Sequence, residues 1–310
     1  MPRLIVFFFL PWLMSPVMAQ SPATTAEALL LRGEYRRAGA YIDSALIHAR
    51  GTERIALQLA SYRRYRNLRS GRKMVTSLRE IPADSLAQAP SVLQLEYLIS
   101  RAEAAEIRGE WEDCLRIYDR AQKDITTVSP TTLQARLHYV HGKILRSYRH
   151  DLPAGATAFH EAIKLLAADP RGDVFLQGEM LRTLGHRART DGDFPRSRDY
   201  YERELRLYQT HFRPSHYEIG NVHYFLGAVF YEMAEHQAAL DHFLACHAIW
   251  EQEFHRSDRY KKYLYQAIGD MYWELDNRPG ALKFYNMASA GESTVQPDSS
   301  DYLTAQADSL

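Results

Sequence analysis

Cysteine is nearly absent: two residues in 310, Cys114 and Cys246. That excludes a disulfide-rich scaffold. Glycine and proline are sparse too, at 16 and 13 residues, few for an all-β chain with many tight turns. No charge predominates, since 38 Lys+Arg meet 38 Asp+Glu. A dedicated nucleic-acid binder is therefore excluded, because a strongly basic domain is expected of one. After the first twenty residues, no apolar run approaches the roughly 20 residues that a spanning helix needs. What is there, 46% apolar and 25% charged, is globular rather than disordered material. By length alone about two domains of roughly 150 residues are allowed.

The first twenty residues read as an address. Arg3 supplies a positive start, Leu4 to Met14 an apolar stretch, and Val17 and Ala19 the small residues before a cut after Ala19. The alternative is a retained anchor, but Pro11 and Pro16 interrupt the run. The mature chain is expected to be exported, periplasmic or secreted, with no stable membrane anchor. No cysteine follows the cut to carry a lipid. Cys114 and Cys246 fall three repeats apart in the register below, beyond the Cα separation of about 7 Å that a disulfide tolerates. Both read as small buried residues.

An internal period organises the rest. Tyr118, Phe159, Tyr201, Phe243 and Tyr285 follow one another at spacings of 41, 42, 42 and 42. Four residues before each stands a small one: Cys114, Gly155, Ser197, Ala239 and Ala281. Gly142, Gly185, Gly227 and Gly269 run in step, 43, 42 and 42 apart. This predicts two helices per repeat. The glycine on the first and the small residue on the second allow a close crossing, and the aromatic plugs the gap between that pair and the next. Short polar turns such as Asp191-Gly192-Asp193 separate the helices. The intervening stretches are rich in good helix formers.

At these positions the chain resembles the tetratricopeptide repeat, which sets a large residue, Leu-Gly, an aromatic, then Ala, an aromatic and Ala at fixed offsets. Leu226-Gly227, Phe230, Ala239 and Phe243 fit well, and Ile268-Gly269, Tyr272, Ala281, Tyr285 and Ala288 fit better. The fifth repeat departs at Ser197 and Glu204. The spacing of 42 is similar to the longer-helix variety of kinesin light chains. The resemblance implies an all-α, right-handed α-solenoid. Seven units are expected, at about 21–50, 53–84, 91–124, 131–168, 174–211, 216–255 and 258–290. Each would touch only its neighbours, so 20–290 becomes one array and the two-domain estimate falls. Residues 291–299 read as a linker, and Ser300-Asp301-Tyr302-Leu303 as the start of a helix with a good N-cap. Either that helix caps the array, or the chain is the front of a longer protein. Export signals with long-repeat arrays resemble the front halves of CHAT-type peptidases and sensor kinases.

Motifs for catalysis are lacking: no HExxH, G-x-S-x-G, P-loop or CxxC. No enzyme activity and no cofactor are expected. Histidines gather late, at 211, 216, 223, 236, 242, 247 and 255, but a zinc site needs at least three converging, and their spacing does not suggest it. Residues 32–80 hold twelve Lys/Arg against four Asp/Glu, while 250–310 hold six against ten. Such asymmetry could favour head-to-tail self-association, or simply mark solvated arginine stems covering apolar surface.

The resemblance further implies that the first helix of each pair lines a concave groove. Its outward offsets, carried onto this chain, give Tyr139, Lys143 and Arg146 in the fourth unit and Arg182, His186 and Arg189 in the fifth. They give Tyr224, Phe225 and Tyr231 in the sixth, and Gln266, Asp270 and Trp273 in the seventh. A basic floor beside an aromatic wall is expected to take an extended protein or peptide segment with an acidic or carboxylate end. The alternative for each aromatic is packing between repeats.

Overall fold

The computed structural model describes residues 21–68, 70–126, 128–169, 172–253 and 258–290. The proposed export segment and the linker with its terminal helix lie outside them. Among the described residues there is no strand. Helices follow in pairs: α1 (Pro22–Leu31) with α2 (Tyr35–His48), and α3 (Gly51–Asn67) with α4 (Gly71–Arg79). A short α5 (Ala83–Ala87) precedes α6 (Ser91–Ile107) with α7 (Trp111–Asp124) and α8 (Thr131–Lys143) with α9 (Leu152–Ala168). Then come α10 (Val174–Thr190) with α11 (Phe194–His211), α12 (Tyr217–Glu232) with α13 (His236–Glu253), and α14 (Asp258–Glu274) with α15 (Arg278–Ala290). These are the seven expected units of an all-α solenoid.

The glycine and aromatic series meet inside each pair. Phe159 lies over Gly142, Tyr201 over Gly185, Phe243 over Gly227 and Tyr285 over Gly269; a Cβ on any of these glycines would come within 2.5–2.8 Å of the ring. The ring thus fills the crossing of its own pair, not the gap to the next pair that the spacing suggested. Ala26 and Ala102, fully buried, take the glycine's place in the first and third units. Phe159 follows Gly142 at a spacing of 17, where the other three pairs keep to 16. The extra residue is absorbed where α8 runs into a π-helical turn at Ile144–Tyr148. Such single π turns hold one inserted residue without breaking the helix.

In six of the seven units the first helix ends on a left-handed residue. Gly33, Gly109 and Gly192 have φ of 71°, 72° and 78°, while His150, Ala234 and Asp276 have 56°, 58° and 55°. In five of them the next N–H bonds back five residues, Glu34 to Leu29, Glu110 to Ala105, Asp193 to Ala188, Glu235 to Phe230 and Asn277 to Tyr272, at 2.8–3.0 Å. These bonds satisfy the last carbonyls of the helix. A left-handed L-residue costs about 1–2 kcal/mol, partly offset in glycine by its freer unfolded chain. Ala234→Gly is therefore expected to stabilise the protein by about 0.5–1 kcal/mol, read as a raised urea midpoint at unchanged slope. A lowered midpoint would contradict backbone strain at this turn.

The expectation that each unit touches only its neighbours is corrected. The array curls until its first units meet the turns that lead into the fifth and sixth units. Arg66 pairs with Asp173, far along the chain. The Tyr217 hydroxyl donates to the Asn67 carbonyl at 3.4 Å. Tyr35 packs edge-on to His216 with ring centroids 6.1 Å apart, and a Cβ on Gly33 would meet His216 Nε2 at 2.8 Å. The glycine admits this approach as well as the turn. No described helix is long and apolar enough to cross a membrane.

Candidate functional site

The first helices α6, α8, α10 and α12 lie side by side, and polar residues bind them across the inner face. Arg136 on α8 is 2% exposed. It donates to Glu103 at 2.9 and 2.7 Å and to Ser100 at 2.8 Å on α6. Glu103 also accepts from the Tyr62 hydroxyl at 2.8 Å and lies 3.6 Å from Arg66. Arg63 joins Glu27 to Glu96. Burial pushes the Glu103 carboxyl up, but Arg136 and Arg66 outweigh it and hold its pKa below the usual range. Unpaired charges here would be prohibitive, so the network is a condition of the fold.

The same chemistry claims part of the expected groove. Arg182 is 4% exposed and clamped between Glu204 and Glu218 at 2.5 Å each. Burial opposes its charge, yet Glu204 and then Glu218 raise its pKa well above the arginine range. Tyr139, 5% exposed, donates to Glu179 at 2.6 Å. Lys143 pairs with Glu106 at 3.0 Å, both largely buried. Burial, the leading influence on Glu106, raises its pKa despite that lysine. His186 is packed edge-on against Tyr201 and Phe225, at 5.7 and 4.6 Å. Arg189, half-buried, pairs with Glu232 at 3.1 Å.

The basic floor is therefore corrected. Lys143, Arg182 and Arg189 already have carboxylate partners from neighbouring repeats. Tyr139 and Arg182 are beneath the surface, not on it. This removes the electrostatic ground for an acidic ligand. Part of the basic front is engaged too: Arg63 and Arg66 point inward to acids, and the exposed Arg32 and Arg37 share Glu34.

The aromatic wall divides. Phe225 stacks on Tyr201 at 5.5 Å with Arg182 over its ring, and Tyr224 packs against Phe243 and Trp250. Both are partly buried, but only Phe225 packs between repeats, as the alternative held; Tyr224 packs against the second helix of its own unit. Tyr231 and Trp273 are 49% and 55% exposed. Gln266 and Asp270 are exposed beside Trp273 on α14, and Asp270 accepts from the Tyr285 hydroxyl at 2.8 Å. Arg146 is half-buried in the π-helical turn. Tyr231 on α12 and Gln266, Asp270 and Trp273 on α14 are thus the groove candidates left exposed, all in the last two units. The structure separates them from the earlier residues.

The interior acids Glu96, Glu103 and Glu218 and the cation Arg136 escaped the sequence reading, and Glu204 showed only as a departure from the repeat. Their signal was opposite charge one repeat apart, Glu103 with Arg136 and Arg182 with Glu218, at positions where a solvated groove would not require it. Elsewhere several of the late histidines pair or pack, while His255 lies outside the described residues. His223 and His242 meet Nδ1 to Nδ1 at 2.9 Å, and burial, then His242, pushes His223 down to about 4. Among the described residues no three His, Cys, Asp or Glu could hold a metal ion. Cys114 and Cys246 are buried and are not joined in a disulfide. Burial pushes Cys114 up to about 12, which keeps it protonated and unreactive.

No protein-family model matches the chain, and no curated protein does. Solved structures are similar in fold. A signal transduction ATPase with numerous domains and a tetratricopeptide repeat sensor, from Pyrococcus horikoshii, aligns at TM-score 0.65 and 13% identity over 89% of this chain and 42% of that one. The apo form of RapI aligns at 0.62 and 12% over 89% and 77%. BtubC from P. vanneervenii aligns at 0.57 and 14% over 79% and 96%. At such identities the likeness establishes a tetratricopeptide-like solenoid and nothing finer.

Proposed function

We propose that the protein is a non-catalytic interaction scaffold that captures an extended segment of another protein on the first-helix surface of its last two units. One observation carries this: the inner face of the earlier units is filled by internal ion pairs, while Tyr231 and Trp273 stay half exposed. Large aromatics held on rigid helices are the usual anchors of protein recognition. The fold supports the same reading, since a Rap protein of TM-score 0.54 to this chain was solved in complex with competence and sporulation factor. The scaffold acts outside the cytoplasm in this proposal, with Met1 to Ala19 serving as the export signal. A mature N-terminus at a residue other than Gln20 would count against that cleavage.

The test is an array of extended peptides probed with the wild type and a Tyr231→Ala/Trp273→Ala variant. Peptides that the wild type selects are expected to bind the variant at least about tenfold more weakly, or about 1.4 kcal/mol. Helical content and melting should be unchanged because both side chains are exposed. Equal affinity would move the working surface elsewhere. A second reading draws on the Pyrococcus protein, whose repeats are a sensor in a larger ATPase: this array would sense for a larger enzyme or signalling protein. The apparent mass of the native protein in its source cells distinguishes the two.

A further inference from the structure

One ion-paired rung between first helices is followed, one repeat later, by an open place at the same offsets. Arg189 lies four residues after Gly185, and Glu232 five after Gly227. These two offsets on consecutive units bring the side chains to 3.1 Å. One repeat later the same offsets give Tyr231 and Glu274. Glu274 thus holds the anionic place of a rung whose cationic place is filled by a tyrosine. It is exposed, and no cation of the described residues lies within ion-pair distance of it. Beside it, Arg278 places its guanidinium 5.6 Å from the centre of the Trp273 ring. The ring face therefore accepts a cation, while the arginine that uses it stops short of the carboxylate.

We propose that this open rung takes an arginine or lysine side chain of the captured segment. The charged head pairs with Glu274 as Arg189 pairs with Glu232, and the stem lies across Tyr231 and Trp273. This deepens the scaffold reading and rests on it. The occupant is a cationic, extended segment, opposite in sign to the one that a basic floor would select. Charge complementarity supports it, because the carboxylates of Glu232 and Asp270 flank the same surface, each shared with one internal partner.

The full chain is titrated against two fluorescent peptides, one alternating Arg with Leu and one alternating Glu with Leu. The Arg peptide is expected to bind at least tenfold tighter and to weaken as salt rises. Glu274→Gln should weaken it five- to tenfold at unchanged melting temperature. Tyr231→Arg, which supplies the missing cation from within, should close the rung and weaken it at least as much. Equal binding of both peptides, or indifference to Glu274→Gln, overturns the cationic rung. If binding of both nonetheless falls in Trp273→Ala, the aromatic surface stands. Failure of both peptides to bind the wild type overturns the rung and the surface together.

Discussion

Arg136→Ala is expected to cost about 3–5 kcal/mol, the range for stripping one partner from a buried ion pair. The guanidinium makes three good hydrogen bonds within 2.9 Å, two of them to Glu103. Glu103 is 1% exposed, so water cannot take over. What remains near it is the Tyr62 hydroxyl and Arg66 at 3.6 Å. Against a total stability of about 5–15 kcal/mol, such a loss approaches global unfolding. In the variant the Glu103 carboxyl should titrate higher than in the unfolded chain. It would then bind its proton more readily when folded, and the deficit should shrink as pH falls. Arg182→Ala belongs to the same class, since it strands Glu204 and Glu218; it tests folding, not ligand capture. Arg189→Ala is the contrast, a half-exposed pair whose loss should stay below about 1 kcal/mol. Urea denaturation followed by circular dichroism orders the three. A cost for Arg136→Ala no greater than for Arg189→Ala would mean that the interior network is not holding the curl.

The difference between these arginines also shows where the sequence was legible. Pairing of helices within a unit depends on a fixed spacing from glycine to aromatic, and Gly227 with Phe243 or Gly269 with Tyr285 display it openly because the constraint repeats. Even the π-helical turn was written in the spacing, since Phe159 stands one place further from Gly142 than its counterparts do from their glycines. Curvature is different. It is the sum of small rotations from unit to unit, and no motif states whether the sum leaves a groove or closes it. Outward offsets borrowed from an open array therefore placed Arg182 on a surface, when Glu218 one repeat on and Glu204 on the paired helix take it inside. At the end of the array, none of the described residues covers α14 on this side, and Tyr231 and Trp273 keep the exposure their offsets predicted. Charge counting failed for the same geometric reason: Arg66 finds Asp173 across the curl, far outside any window in which a local balance is taken.

Gly227→Ala is expected to destabilise by about 2–3 kcal/mol, although alanine is the better helix former by about 1 kcal/mol. The added Cβ would lie 2.6 Å from two carbons of the Phe243 ring, well inside contact distance. The ring has nowhere to go. It is 3% exposed, with Tyr224 packed against it at 5.7 Å between centroids. Relief requires α12 and α13 to separate, and both are already held by the units on either side, so overpacking strain exceeds the gain in propensity. Phe243→Leu supplies the test. Alone it leaves a void and destabilises; combined with Gly227→Ala, the smaller side chain vacates the space the methyl needs. The double variant should be no less stable than Phe243→Leu, giving a coupling energy of opposite sign to the single costs. Gly71→Ala is the control, since a Cβ there meets nothing within 4 Å, and it should be neutral or slightly stabilising. If Gly227→Ala behaves like Gly71→Ala, the glycine series marks only a habit of the repeat and not the crossing distance that makes the next unit fit.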